Sequence, residues 1–426
     1  MSIMIIIIVL IIRVTLIMLC SQTNPLIKQK TCDKCTEPGE YYDGRVILKK
    51  ISSSKRTDTS FRLQQDEEHH LGISPLTRLN VGLVSTFPID YMHACCLGVC
   101  RKLLNFWIGG NLKTRLPNRL VKTISQRLVS LKPYIPLEFN RKPRSLDELQ
   151  RWKATEFRSF LLYLGPVVLK DVTDLAVYEH FLLFHCAISI LISDRHISKY
   201  GFEYPNKLLC AFVTHCEKLY GKQFLIYNVH ILCHLVDDVK NYGPLDRFSA
   251  FPFENYLGVL KKLIKSPTQP LQQIHRRLKE ADYFFRINCS QKSLVHLLEH
   301  NSGPTSIYTC CRQYRKVKYQ NFILCAKFQS SADSYCLIKG DIVFEIHNII
   351  LYEESTFLIG KQYVEKRPLY NYPIESSELG ICIVDILSEH YFSWSIKDVV
   401  SKCLVLPFNN KLVCVPIIHT LTEDSI

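Results

Sequence analysis

The sequence predicts an α+β chain, a mainly helical body followed by a small C-terminal β-rich domain, and three observations carry that expectation. Apolar residues recur at helical spacing from about residue 90 onward. Short β-branched and aromatic runs, separated by Gly, Asn and Pro, take over from about residue 301. A hydrophobic content of 47% over 426 residues is enough to bury more than one core. Four segments follow: an apolar stretch at 1–20, a loop-rich stretch with a CxxC pair at 21–89, a helical region at 90–300 and a β-rich domain at 301–426.

At the N-terminus, Ile3 to Ile12 is an unbroken apolar run, Arg13 interrupts it, and Val14 to Leu19 resumes it. A spanning helix needs about 20 apolar residues and a signal peptide a basic leading region, so the segment fits both imperfectly. It reads as sequence joined to a truncated gene, with a membrane anchor or secretory signal as the alternative. Residues 21–86 are polar and turn-rich. Beyond them, Cys95 to Ile108 is amphipathic, and Ser145 with Glu148 forms a capping-box signature ahead of LQRWKATEFRSFLLYLG. Asp174 to Ile192 is almost wholly apolar, Asn206 to Tyr220 stops at Gly221, and Asn228 to Lys240 and Gln269 to Asp282 extend the helical series. The strands are expected within SYCLI, DIVFEIHNIILY, TFLIG, LGICIVDIL and KLVCVPII, forming a barrel or a sandwich.

Eighteen Cys are scattered without a regular framework and many sit on apolar stripes, as expected of reduced core thiols. Net charge is +14, unevenly distributed. From Arg101 to Lys170 there are 15 Lys/Arg against 4 Asp/Glu, and from Asp341 to Ile426 there are 6 against 12. The basic window can neutralise phosphates with release of counterions, or it can be a set of solvated helix faces.

Three constellations could carry chemistry. Cys32-Asp-Lys-Cys35 has the knuckle spacing at which two thiolates face one Zn2+, which is half a site. Its candidate partners are His69, His70 and the pair Asp90 and His93, and the plain alternative is two reduced core thiols. His230 and His234 stand four apart on one helical face, with Asp237 and Asp238 beyond them. For these the favoured reading is two histidines hydrogen-bonded in a helix-packing seam. Glu254 follows Phe251-Pro252-Phe253 at the start of a helix bearing Lys261, Lys262 and Lys265, which suits Mg2+ chelation beside phosphate or a plain helix-dipole contact.

Taken together and in order, CDKC, RTDTSFR, EEHH, FPIDYMH, RKPRSLDELQRWKATEFRSFLLYLGPVVLKD, NVHILCHL, GPLDRFSAFPFENY and PLQQIHRR resemble the transposases of CACTA-type DNA transposons, in their animal branch. The resemblance runs from about Thr31 to Arg277. It implies an RNase H-like core in which a set of three carboxylates holds two Mg2+ ions, with a helical insertion before the last acid. By position Glu254 resembles that last acid, Cys32 and Cys35 the CxxC after the second Asp, and Asp90 with His93 the DxxH of the insertion. The first two acids lie upstream of the CxxC in the family, where this chain has the apolar stretch 1–20. One carboxylate cannot hold two metal ions about 3.5–4 Å apart, so Mg2+ belongs only to an intact core. Asp171, Asp237 and Asp246 are the weak substitutes.

The expectation is therefore a truncated or domesticated transposase-derived protein without catalysis, nuclear. It would bind DNA through the Arg101–Lys170 and Lys261–Arg277 surfaces, with Arg141, Lys142, Arg144, Arg151, Lys153, Lys261, Lys262 and Lys265 as contacts and zinc as the candidate cofactor. The alternatives are a zinc-dependent protein-interaction module and a membrane-anchored protein.

Overall fold

The computed structural model describes residues 31–419 except Leu71, Ser74, 289–293 and Ile307, so the apolar stretch 1–20 and its expected role lie outside the described residues. Among the described residues no single helix is long and apolar enough to cross a membrane. The chain is α+β and divides into two compact units. One comprises the described residues up to Arg127 with Arg144–Ser249, and the other Leu128–Pro143 with the residues from Ala250 onward. The division thus falls near residue 250 instead of 300, and a short stretch from the basic window belongs with the strands.

The first unit is helical around one element that is buried over most of its length. Helix Leu175–Leu191 is apolar on every side and buries 13 of its 17 residues, which places it at the centre of the unit. Its two buried imidazoles are satisfied by backbone carbonyls on neighbouring elements. His180 Nε2 donates to Phe212 O at 2.9 Å, and His185 Nδ1 donates to Leu161 O at 2.8 Å. The expected helix over Asn206 to Tyr220 begins earlier, at Glu203, and ends where Gly221 takes φ of 81°.

Two expected helices change form. Met92–Cys100 is a π-helix that passes into the α-helix Arg101–Gly109. Inside it Gly98 avoids a clash, because a Cβ would stand 2.8 Å from the His93 carbonyl oxygen and 3.0 Å from the Asn228 side chain. Ser145 caps Asp147 N instead of completing a box with Glu148, which turns to Arg144, so Leu146–Arg151 is a 3-10 segment. The α-helix starts later, at Ala154, where Glu156 accepts from Lys153 N.

The second unit holds β3 (Leu294–His300), β4 (Arg312–Tyr319), β5 (Phe322–Cys325), β6 (Tyr335–Ile338), β7 (Ile342–Tyr352), β8 (Ser355–Pro368), β9 (Cys382–Leu387), β10 (Phe392–Ser395), β11 (Val399–Phe408) and β12 (Lys411–Pro416), numbered after a small hairpin of β1 (Glu40–Tyr42) and β2 (Arg45–Ile47) in the first unit. All pairings are antiparallel. The path β8-β9-β12-β11-β6-β7 closes on itself because β7 also pairs with β8 along its length, from Tyr352↔Ser355 to Phe344↔Gln362. Of barrel and sandwich, the barrel is what forms, because closure pairs both edges. Tyr335, Leu337, Val343, Tyr363, Cys382, Val384, Cys403, Val405 and Cys414 form a core to which all six strands contribute. A second core, with Val317, Leu324, Phe344 and Leu358, fills the space beneath β4 and β5.

A buried ion network explains why Leu128–Pro143 belongs here. Lys402 on β11 is fully buried, and its Nζ donates to both carboxylate oxygens of Glu138 at 2.8 and 2.7 Å, to Asp333 Oδ1 at 2.6 Å and to Ile323 O at 2.6 Å. Glu138 accepts from Ile323 N and Asp333 from Leu137 N, so each buried charge has several partners.

Candidate metal centre

The centre is built from two segments of the first unit, the CDKC turn and the helical run that starts at Tyr227. The turn is shaped by its own backbone: Lys34 N donates to Cys32 Sγ at 3.3 Å, and bridges Thr31↔Pro38 and Cys35↔Lys55 fold the chain back on itself. A loop wraps it from outside. The buried Glu37 carboxylate accepts from Lys49 N, Lys50 N and Ser53 Oγ, while Arg56 Nε donates to Cys32 O at 3.0 Å.

The helical segment comprises Tyr227–His230, the 3-10 turn Ile231–His234 and Leu235–Tyr242. Residues flanking the ligands hold the two segments together. Tyr227 donates to Asp33 Oδ2 at 2.7 Å, and Lys34 Nζ pairs with Asp238 Oδ1 at 3.1 Å. The other oxygen of Asp238 accepts from Ile89 N at 2.7 Å. Burial raises the Asp238 carboxyl, and the Lys34 ammonium opposes that rise.

Cys32, Cys35, His230 and His234 meet at this junction, all buried, with one donor atom from each within 4.8 Å of all the others. His230 Nε2 stands 3.3 Å from Cys35 Sγ and 3.3 Å from His234 Nε2. Tetrahedral zinc, with nitrogens at about 2.0–2.1 Å and sulfurs at 2.3 Å, places two nitrogens about 3.3–3.4 Å apart and a nitrogen and a sulfur about 3.5–3.6 Å apart. The donor types therefore suit a tetrahedral cation, and the two separations at His230 Nε2 are close to that spacing. Hydrogen bonds alone serve it less well: two imidazole nitrogens that face each other cannot both accept, whereas a cation satisfies both lone pairs and two thiolates at once. The Cys32 thiol donates to Cys35, which together with the two imidazoles holds Cys35 far below the ordinary thiol range. These four residues could hold a metal ion.

The CxxC half of this set was legible and its partners were not. Asp90 and His93 bond each other instead, His93 Nδ1 to Asp90 Oδ2 at 2.5 Å, with His93 largely exposed. They are outside the cluster because the helix that carries them presents His93 to solvent. His69 is engaged by Thr31 Oγ1 at 2.6 Å, and burial followed by the Arg56 charge lowers it to about 4. The pair expected to serve only a packing seam, His230 and His234, supplies the imidazoles. The i, i+4 spacing was the signal, and its weakness was that nothing in the sequence joins residues 195 positions apart.

His234 also lines a cavity of about 240 Å3 with Lys34, Lys55, Arg56, Asp237 and Asp238. Each cation there faces a carboxylate: Lys34 with Asp238, Lys55 with Asp237, and Arg56 with Asp66.

Glu254 lies exposed in the first turn of helix Phe251–Leu263. It joins no group of three or more His, Cys, Asp or Glu ligand atoms among the described residues. Of the cations expected to contact DNA, Arg151, Lys153, Lys261, Lys262, Lys265 and Arg141 are exposed. Lys142 is exposed too, though its ammonium donates to Ile135 O. Arg144 differs: its guanidinium grips the buried Glu156 in a fork at 2.7 Å and 2.7 Å and also bonds Arg151 O, so it is a structural residue. Arg141 and Lys142 fall in the second unit while Arg144, Arg151 and Lys153 fall in the first, so the basic window is divided between two bodies.

A search of curated proteins and a search of solved structures returned no match to this chain. Residues 299–417 match a family model described as a domain of unknown function, DUF8592, which covers β4 to β12 and the end of β3.

Proposed function

We propose that this chain is a transposase-derived, DNA-binding protein related to the CACTA-type enzymes, and that Cys32, Cys35, His230 and His234 hold a structural zinc ion. The observation that carries the reading is convergence. CDKC and NVHILCHL, two of the motifs on which the resemblance rests, lie far apart in sequence and supply all four residues of one buried Cys2His2 cluster that could hold a metal ion. Four protein ligands leave no open position, so the zinc would act by holding the knuckle against the helix, with no catalytic role of its own. Strand transfer is not part of the proposal, because Glu254 stands apart from any group of further acidic ligands among the described residues. DNA contact would fall to Arg141, Lys142, Arg151, Lys153, Lys261, Lys262 and Lys265, and such a protein would work in the nucleus.

One observation favours a second reading, a zinc-dependent protein-interaction module without a DNA role: Arg144 is consumed by Glu156. Two measurements on the purified full chain separate them. Elemental analysis should return one zinc per chain. Retention on duplex DNA should fall steeply with salt, in proportion to the number of phosphates neutralised. One zinc with no salt-sensitive retention would leave the interaction module, and absence of bound metal together with full stability would overturn both.

A further inference from the structure

The barrel unit carries a concentration of charge that the helical surfaces do not explain. Residues 294–328, which contain β3, β4 and β5, have five Lys/Arg and one Asp/Glu, whereas residues 329–419 of the same unit have seven against eleven. Four of the five cations, Arg312, Arg315, Lys316 and Lys318, are on β4, and all are exposed or half-exposed. Lys327 is paired with the buried Glu345, but none of those four is in an ion pair among the described residues.

Register shows how two of them are presented. Lys316 and Lys318 alternate with Val317, which is fully buried in the core beneath, so both ammonium groups point away from it. They stand beside Leu297 and Val295 on β3 and beside Cys325 and Ile323 on β5. At the end of β5 the Phe328 ring is 56% exposed. The Arg315 guanidinium stands 5.8 Å from its centroid and the His300 ring meets it edge-on at 5.2 Å.

We propose that the β3–β4–β5 face binds single-stranded nucleic acid, with Arg312, Arg315, Lys316 and Lys318 on the phosphates and Phe328 as a stacking surface for a base. Cations without carboxylate partners keep their full charge for phosphate. An exposed ring already held by a guanidinium and an imidazole offers a base a fixed platform. The width of the patch argues for one strand over two. It spans three strands, and the acidic segment 329–419, which supplies the strands from β6 onward, disfavours a polyanion that runs on over them. The proposal is independent of duplex binding by the helical surfaces.

The test is fluorescence anisotropy of the full chain with a labelled oligothymidylate of about 20 nucleotides, at several salt concentrations. Lys316→Gln with Lys318→Gln should weaken binding at least tenfold at low salt and flatten the salt slope by about 1.4, at about 0.7 per phosphate contact. Phe328→Ala should weaken it about fivefold or more and leave the slope unchanged. All three residues are at the surface, and an unchanged melting curve verifies each variant. Parental affinity in these variants, with loss in Lys261→Gln/Lys262→Gln on helix Phe251–Leu263, would overturn the proposal while leaving DNA binding by the helical surfaces intact. Polyglutamate competing as well as oligothymidylate would also overturn it, assigning the face to an acidic protein.

Discussion

At the scale of single residues, the four residues of the candidate metal centre carry the first prediction. A metal bound only by the folded state stabilises it by about 4 kcal/mol when free metal exceeds Kd a thousandfold. Cys35→Ser or His234→Ala should therefore abolish stoichiometric zinc and lower the unfolding midpoint of this unit by roughly 10 °C, read by elemental analysis and thermal scans. The buried imidazoles of helix Leu175–Leu191 make a separate prediction. Burial lowers His180 and His185 to about 4, against about 6.5 in the unfolded chain. Between pH 6.5 and 4 the unfolded state takes up protons that the folded state excludes, so stability falls as the pH drops through that window. The loss is up to about 3 kcal/mol for each imidazole. Urea midpoints at pH 7 and pH 5 should show it, and His185→Leu should remove its share of the slope. At this scale the sequence exposed the donor types and the two short spacings. It could not pair them, because CDKC stands far nearer in sequence to His69, His70 and His93 than to His230 and His234, and the choice was made by packing.

At the scale of elements, stability depends on contacts that no local pattern displays. Lys402 lies in an apolar strand and reads as an anomaly until Glu138 and Asp333 are beside it. Lys402→Met would leave two carboxylates buried without their cation, and should cost the barrel unit about 3–5 kcal/mol in denaturant titrations. Gly360 is equally constrained: a Cβ there would come within 1.9 Å of Glu345 O, across the β7–β8 pair. Gly360→Ala should destabilise the barrel by 2 kcal/mol or more, by about the amount that overpacked cores lose, because a backbone carbonyl in a ladder cannot retreat. Strands were legible from period-2 runs such as Asp341 to Tyr352, and helix Leu175–Leu191 from its length and its Asp174 start. The capping box at Ser145 misled, since Glu148 found a stronger partner in Arg144 than in the backbone.

At the scale of the whole molecule, the two units make a prediction that neither makes alone. Chelation should shift the unfolding of the helical unit, followed by far-UV circular dichroism at the helical band, and leave that of the barrel where it was, since all four metal ligands belong to the first unit. A single transition displaced as a whole would mean that both units depend on the metal. Sequence alone determined the α+β class, the order of helices before strands, the reduced state expected of the cysteines and the half-site at Cys32 and Cys35. These follow from composition and short periodicities, which act within a few residues. The tertiary structure alone decided the closure of the barrel through β7 and β8, the transfer of Leu128–Pro143 to the second unit, and the choice of His230 and His234 over Asp90 and His93. Each of these joins residues tens to hundreds of positions apart, and the energy that selects such a partner comes from burial and charge compensation that exist only once the chain has folded.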